Sequence, residues 1–371
     1  MKVGILTLHN AINYGATLQA LALQQCIEEL GVNVEIIDYR NKHIEEKYWR
    51  ANNYLLPIKI MLKGHIRSGM QELKEAIVNR NQYSGFRKKY LCYIKQNMKL
   101  SKPYGSQLLK EENPYSTVIV GSDQVWNTKI TGNDSVYFLK NISNVKKISY
   151  AASGLRIGEN QDLIDSIFQF DSISVRESST LKILSDIHRD SIETVCDPTM
   201  LYSGEFWKKR IGDRKISCNY IFAYSIWKNP ELLALVEHMA KNYNLKIVCL
   251  TGVERTVKVR GKTYVSVTPD DFLNFIAYAD KVVVNSFHGT VFSILFKKDF
   301  FSFNSGERIN DLLTTLNICN RGFTQSDIDF ENMEEINWEN VDTKLAQMRK
   351  DSRKFLIESM GLNDELLNQW R

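Results

Sequence analysis

The sequence predicts an α/β protein of two domains, each a parallel sheet flanked by helices, facing one another across a cleft. Three observations lead there. Short apolar runs bounded by polar turns alternate with helical stretches, as expected for βαβ crossovers. The series stops at a polar segment without a strand, DPTMLYSGEFWKKRIGDRK (197–215), and then begins again. The chain has 371 residues, whereas single cores rarely grow past roughly 250–300 residues.

In the first half the apolar runs are VGILTL (3–8), VEIIDY (34–39), TVIVGS (117–122), KKISYAAS (146–153), SISVRE (172–177) and ETVCDP (193–198). TLQALALQQCIEEL and LIDSIFQF fall between them with helical spacing. In the second half the runs are NYIFAYSI (219–226), KIVCLTG (246–252), KTYVSV (262–267), KVVVNS (281–286) and DFFSF (299–303). Helices are expected at PELLALVEHMAKNY and at PDDFLNFIAYA, where Pro269-Asp270 is a start signal. The expected division is a Rossmann-like domain over 1–200, a second over 216–330, and a helical tail over 331–371. The tail segment VDTKLAQMRKDSRKFLIESM is expected to pack back across the domain junction. In open α/β sheets ligands bind beyond the carboxyl ends of the strands, so the residues just after each strand matter most.

The formal net charge of +5 is unevenly placed. Residues 40–110, a basic helical insertion in the first domain, hold 16 Lys and Arg against 4 Asp and Glu, leaving −7 for the rest of the chain. The same stretch contains Tyr48, Trp49, Tyr54, Tyr83, Phe86, Tyr90 and Tyr93, and the apolar-basic segment YLLPIKIMLKGHIR. Three readings compete. The insertion is a solvated helical element with aromatic core contacts, or it docks on an anionic membrane surface through apolar anchors and cations, or it binds nucleic acid. No recognisable nucleic-acid module accompanies it, so no nucleic-acid partner is expected. No apolar run reaches the ~18 residues of a transmembrane helix, and no signal-peptide pattern opens the chain. Six cysteines are scattered without a CxxC pair, which argues against a disulfide framework or a zinc site. A cytoplasmic location is expected, peripheral at the inner membrane face if the second reading of the insertion holds.

After the first strand comes LHNAINYGA. A dinucleotide fingerprint needs three spaced glycines for a tight turn and close approach to a pyrophosphate. Only Gly15 is present, although Asp38 ends the second strand where a ribose-binding acid would sit. Alternatively, Asn10, Asn13 and Tyr14 offer side-chain hydrogen bonds to a polyhydroxylated ligand, beside a helix start that favours an anion. Turn and cap chemistry is the competing account of the asparagines. His9 is placed to reach the cleft.

GSDQVWN, after the third strand, sets Ser122, Asp123 and Gln124 beside the indole of Trp126. Polar groups next to an apolar face suit a sugar, unless Ser122 or Asp123 only caps a helix. Arg176 ends the buried run ISVRES. Burying it is costly unless it meets an anion, either a ligand carboxylate or phosphate held bidentately or the nearby Asp171 or Glu177. In VVVNSFHGTVFS the turn after the strand holds Asn285, Ser286, His288, Gly289 and Thr290. An imidazole set over helix-start amides can face a phosphate and move a proton.

In this order and spacing, LHNAINYGATLQALAL, VIVGSDQVWN, ISYAAS, ISVRESS, VCDPTML and VNSFHGTVFSILF resemble the polysaccharide pyruvyl transferase family, from Lys2 to about Arg321. The resemblance implies a fold like that of the two-domain B-type (GT-B) glycosyltransferases. It implies an enzyme of surface or exopolysaccharide biosynthesis that moves pyruvate from phosphoenolpyruvate onto two sugar hydroxyls as a cyclic ketal. Arg176 is then a donor-binding residue, and His288 a donor contact and catalytic group. Many members carry arginine and leucine just before that histidine, where this chain has Ser286 and Phe287. Arg308, in SGERIN after the next strand, is the candidate for the missing cation. Asp123 is a candidate second acid/base near the acceptor. The implied partners are phosphoenolpyruvate as co-substrate and a free or lipid-linked saccharide. No cofactor is expected, nor a metal, since no cluster has a ligand pattern. A nucleotide-sugar glycosyltransferase and a non-catalytic glycan-binding protein on the same fold stay open as alternatives.

Overall fold

The structure, a computed structural model, describes all residues except 50–57, 59–60, 63, 106–112, 157, 159, 188–190, 226–228, 252–260, 265–266, 304–305, 325–327 and 370–371. Half of YLLPIKIMLKGHIR, with Tyr54, lies outside the described residues, as do the side chains of Tyr48, Trp49 and Tyr83.

Among the described residues the first half runs β1 (Lys2–Leu6), α1 (Tyr14–Glu29), β2 (Asn33–Ile36), α2 (Lys42–Trp49), α3 (Ile66–Asn97), β3 (Thr117–Asp123), α4 (Thr128–Thr131), β4 (Lys146–Ala152), α5 (Gln161–Ile167), β5 (Ser172–Val175), α6 (Ser178–Ile187) and β6 (Ile192–Thr194). The second half runs α7 (Gly204–Ile211), β7 (Tyr220–Ser225), α8 (Pro230–Asn242), β8 (Lys246–Thr251), β9 (Lys262–Tyr264), α9 (Pro269–Ala277), β10 (Lys281–Val284), α10 (Phe287–Leu295), β11 (Asp299–Phe303), α11 (Glu307–Thr315), β12 (Gly322–Phe323) and α12 (Trp338–Met360). All eleven expected strands form. The twelfth, β12, is two residues long, too short to leave a periodic signal.

Two six-stranded sheets result, ordered β2-β1-β3-β4-β5-β6 and β12-β11-β10-β7-β8-β9. Pairings are parallel throughout, with Val3 opposite Thr117 in one sheet and Val282 opposite Phe222 in the other. Parallel strands covered by helices on both faces need apolar side chains on both faces, and every residue of β3 and β7 is buried. Chain order reverses between β1 and β3 in the first sheet and between β7 and β10 in the second. The crevices at those reversals are where doubly wound sheets hold ligands. The loop after β1 and the turn after β10 lie there.

One apolar core runs through both sheets' halves. It takes Val3 and Leu18 from the first, Phe272 and Phe292 from the second, and Phe355 from α12. Helix α1 packs on α9 and α10. Tyr14 at its start stacks on Phe272 with ring centroids 5.2 Å apart, and sits 6.1 Å from Tyr90 and 6.0 Å from Tyr224. Gly15 follows. A Cβ there would fall 2.0 Å from Nδ1 of His288, so only glycine permits this approach of the two halves.

The aromatic end of the basic insertion is core, as one of the three readings had it. Phe86, Tyr90 and Tyr93 of α3 are buried. Tyr90 shares a 2.7 Å hydrogen bond with Thr17, and Tyr93 donates to Asp270 at 2.7 Å, so α3 ties α1 to α9. Helix α12 crosses back over the junction as expected: Arg349 and Arg353 donate to the carbonyls of Met200 and Leu201, and Lys344 donates to that of Thr315. Among the described residues no helix is long and apolar enough to cross a membrane. Phe272 is fully buried at the seam of the two halves. Phe272→Ala should cost about 3–5 kcal/mol, read as a lower urea midpoint of the whole protein.

Candidate functional site

Three strand ends of the first sheet converge. Arg176 follows β5, Asp197 follows β6, and Ser122 with Asp123 closes β3. Arg176 is buried and donates from Nη1 to Oδ2 of Asp197, with Ser122 Oγ 3.5 Å and Ser153 Oγ 3.3 Å from its guanidinium. Asp123 Oδ1 lies 3.6 Å from Nη2, and Glu177 Oε2 3.8 Å from Nε. Burial would lower the Arg176 pKa, but Asp197, Glu177 and Asp123 outweigh it and raise it. Asp171 takes no part; it accepts from the Lys147 backbone. The chief partner is Asp197, which sequence reasoning passed over within VCDPTML. Its only signal there was an Asp-Pro pair after a strand, which a turn cap explains equally well.

Asp197 does cap that turn: Oδ1 accepts from the amide and hydroxyl of Thr199, at 3.0 and 2.7 Å. Its other oxygen accepts from Ser122 Oγ at 3.2 Å and faces Nε2 of His288 at 3.5 Å. His288 comes from the second sheet, in the first turn of α10, which Ser286 caps by accepting from the Gly289 amide at 2.9 Å. The imidazole's Nε2 is buried and makes no hydrogen bond, and the same holds for Arg176 Nε. Both have a carboxylate only at ion-pair distance, Asp197 at 3.5 Å and Glu177 at 3.8 Å, and buried polar groups without a hydrogen bond are suited to a ligand. Phe287 turns its ring to Arg176, 4.3 Å from the guanidinium carbon, and Arg308 from the start of α11 stands 5.9 Å away on the same ring.

Other expected site residues are engaged elsewhere. His9 is buried and bonded to Asp38 at 2.9 Å through Nε2, with Nδ1 against the Thr7 carbonyl, so it turns into the first domain rather than the junction. Asp38 is held by His9 and Arg40. Burial would raise its pKa, but these two partners lower it. Asn13 accepts from the amides of Gly15 and Ala16, a helix cap. Tyr14 is packed among aromatics, and burial pushes its hydroxyl pKa far up. Gln124 accepts from Asn127 at 2.7 Å. Trp126 is fully buried, its indole donating to the Tyr137 carbonyl, so it offers no face to a sugar. Thr290 bonds Ser302, and a Cβ on Gly289 would crowd Ser286 at 2.7 Å. Asn10 is buried, and its Nδ2 makes no hydrogen bond. Among the described residues no group of three His, Cys, Asp or Glu is placed to hold a metal ion.

Burial would raise the Asp197 carboxyl, but His288 and Arg176 more than offset it and hold its pKa well below the usual range. The stability of the ionised form is complete above the unfolded value of about 3.9. It is lost as pH falls below that value toward the depressed folded one. Asp197→Asn should cost about 3–5 kcal/mol at pH 7. Its loss of stability below pH ~4 should also be shallower than the native protein's, in urea titrations at stepped pH.

The same two-domain shape occurs in solved structures of low identity. Over 96% of this chain and 96% of theirs, UDP-N-acetylglucosamine 2-epimerase from Rickettsia bellii aligns with a TM-score of 0.51 at 9% identity. S. aureus MnaA with UDP gives 0.50 at 11% identity, covering 98% of this chain and 91% of that one. The UDP-GlcNAc 2-epimerase of Methanocaldococcus jannaschii, in complex with UDP-GlcNAc and UDP, gives 0.50 at 11%, covering 97% and 99%. This likeness establishes the GT-B-like fold. No curated protein matches the chain in sequence. A family profile, that of polysaccharide pyruvyl transferase, matches residues 13–307. That span contains the first-sheet strand ends and the histidine turn that meets them, and the chain belongs to the polysaccharide pyruvyl transferase family.

Proposed function

We propose that this protein transfers pyruvate from phosphoenolpyruvate to two hydroxyls of a saccharide, forming a cyclic ketal. Family membership supports a transferase with a saccharide acceptor. The observation that carries the donor assignment is the meeting of Arg176, His288 and Arg308 at one interdomain point. A donor with a phosphate and a carboxylate needs cations, which the two arginines supply.

In the reaction C2 of the donor gains bonds to two hydroxyl oxygens and loses its bond to the phosphate oxygen. The methylene carbon becomes a methyl group. One hydroxyl proton ends on that carbon and the other leaves with phosphate. In this reading Arg176 grips the donor's carboxylate or phosphate. His288 contacts the phosphate and moves a proton. Asp123 acts as a second acid/base toward the acceptor. Asp197 touches no substrate; it positions Arg176 and His288. Ser122 buttresses Asp197, and Asn10 is the first-domain group offered to the acceptor. The scheme calls for no cofactor beyond the donor.

The acceptor, free or lipid-linked, belongs to surface or exopolysaccharide assembly at the cytoplasmic membrane face. Peripheral contact there is supported by Leu62, Ile66 and Met70, exposed by 82%, 60% and 50% within the basic insertion. Apolar anchors beside cations bind anionic lipid surfaces. The native protein should sediment with vesicles containing phosphatidylglycerol, and Leu62→Glu with Ile66→Glu should abolish this. No sedimentation of the native protein would end the membrane assignment.

His288→Ala should lose about 10²–10⁴ in turnover while remaining folded. Turnover is read as phosphate release and a mass gain on the sugar, with phosphoenolpyruvate and candidate glycosides as substrates. Unchanged pyruvylation would remove His288 from the mechanism. Thermal stabilisation by UDP and none by phosphoenolpyruvate would overturn the donor assignment.

A further inference from the structure

We propose that Arg176 and Arg308 form one anion-binding pair across the domain junction, and that the Asp123 carboxylate occupies this pair in the free protein until an anionic donor displaces it. The inference rests on the donor reading above and adds to it how the charge is held.

One carboxylate oxygen, Oδ1 of Asp123, lies 3.6 Å from Nη2 of Arg176 and 3.9 Å from Nη1 of Arg308. Both distances are ion-pair distances, too long for hydrogen bonds. The carboxylate therefore balances charge without satisfying the guanidinium donors. Arg176 Nε also has no hydrogen-bond acceptor although it is buried. An anion with more oxygens, able to approach to hydrogen-bond distance, would use donors that Asp123 leaves idle.

The arrangement is braced. Phe287 underlies both guanidinium groups, at 4.3 Å and 5.9 Å from its ring centroid. Cations are held over an aromatic face by its quadrupole, so Phe287 keeps two like charges side by side. Burial and the charge of Arg176 both lower the Arg308 pKa, which Asp123 opposes. Asp123 itself sits at φ 68°, in the left-handed region, and its carboxylate lies between Arg176 and Arg308. The Arg308 side chain is 30% exposed and that of Arg176 only 3%, so a ligand enters past Arg308. Ser286-Phe287 thus exchanges a cation at the start of α10 for an aromatic platform that carries one from α11. Once displaced, Asp123 is free to turn to the acceptor hydroxyls.

The test is calorimetric titration of phosphoenolpyruvate, and separately of inorganic phosphate, into the native protein, Asp123→Asn, Arg308→Gln and the double variant. Asparagine tolerates positive φ, and thermal unfolding confirms that each variant is folded. Asp123→Asn should bind phosphoenolpyruvate roughly tenfold tighter, and Arg308→Gln roughly tenfold weaker, each about 1.4 kcal/mol. In the double variant the gain from Asp123→Asn should shrink, because one of the released cations is gone. A folded Asp123→Asn that binds no tighter, or Arg308→Gln that binds like the native protein, would overturn the inference. Ketal formation by the native protein, with phosphoenolpyruvate affinity unchanged in Asp123→Asn, would leave the donor reading standing and remove this one. Phosphate binding that follows the expected pattern, with no phosphoenolpyruvate binding to the native protein, would do the reverse.

Discussion

A single buried carboxylate organises this molecule. Asp197 is inaccessible to solvent, so its charge must be met from within, and it is met from both domains. One oxygen fixes the turn by which the chain leaves the first sheet, through Thr199. The other is shared by Arg176 and the His288 imidazole. An isolated charge in that position would be prohibitively costly. The first sheet's cation and the second sheet's imidazole are therefore obliged to be where they are. The geometry of the junction follows from this demand for charge balance.

Apolar packing makes the demand stricter. Helix α1 carries Tyr14 into a nest of rings from α3, β7 and α9, and Gly15 lets His288 lie directly on its backbone. Around the charged cluster the seam is buried, and in such surroundings charges act more strongly on one another than in water. A site built of few polar groups suits the proposed small, highly charged donor, which electrostatics more than area would hold.

The sheets were legible in the sequence because their central strands are buried on both faces and so show as near-continuous apolar runs. The histidine turn was legible because polar residues are concentrated just after such a run. What escaped was pairing at long range. Asp197 looks like a turn residue and is one, and nothing local reveals that its second oxygen faces a histidine about ninety residues later. His9 looked available because Asp38 lies on the neighbouring strand, and only the parallel register of β1 and β2 brings them together. Trp126 looked like a sugar platform because its carbonyl partner at Tyr137 lies beyond an intervening turn. Asn13 and Ser286 spend their oxygens on helix starts, the ordinary role of their residue types.

The shared core has a bearing on how such a protein can change over generations. Two-domain enzymes are often varied by exchanging one half for that of a relative, each half keeping its own interior. Here the rings of α1, α3 and α9 belong to a common interior, and α12 returns from the second half to lie on the first. Neither half is a cassette. A transplanted half would arrive with mismatched rings and, at Gly15, with no tolerance for a side chain of any size. Change in the first half and change in the second must pass through the same seam, and the lineage is constrained to alter specificity by single residues at its rim.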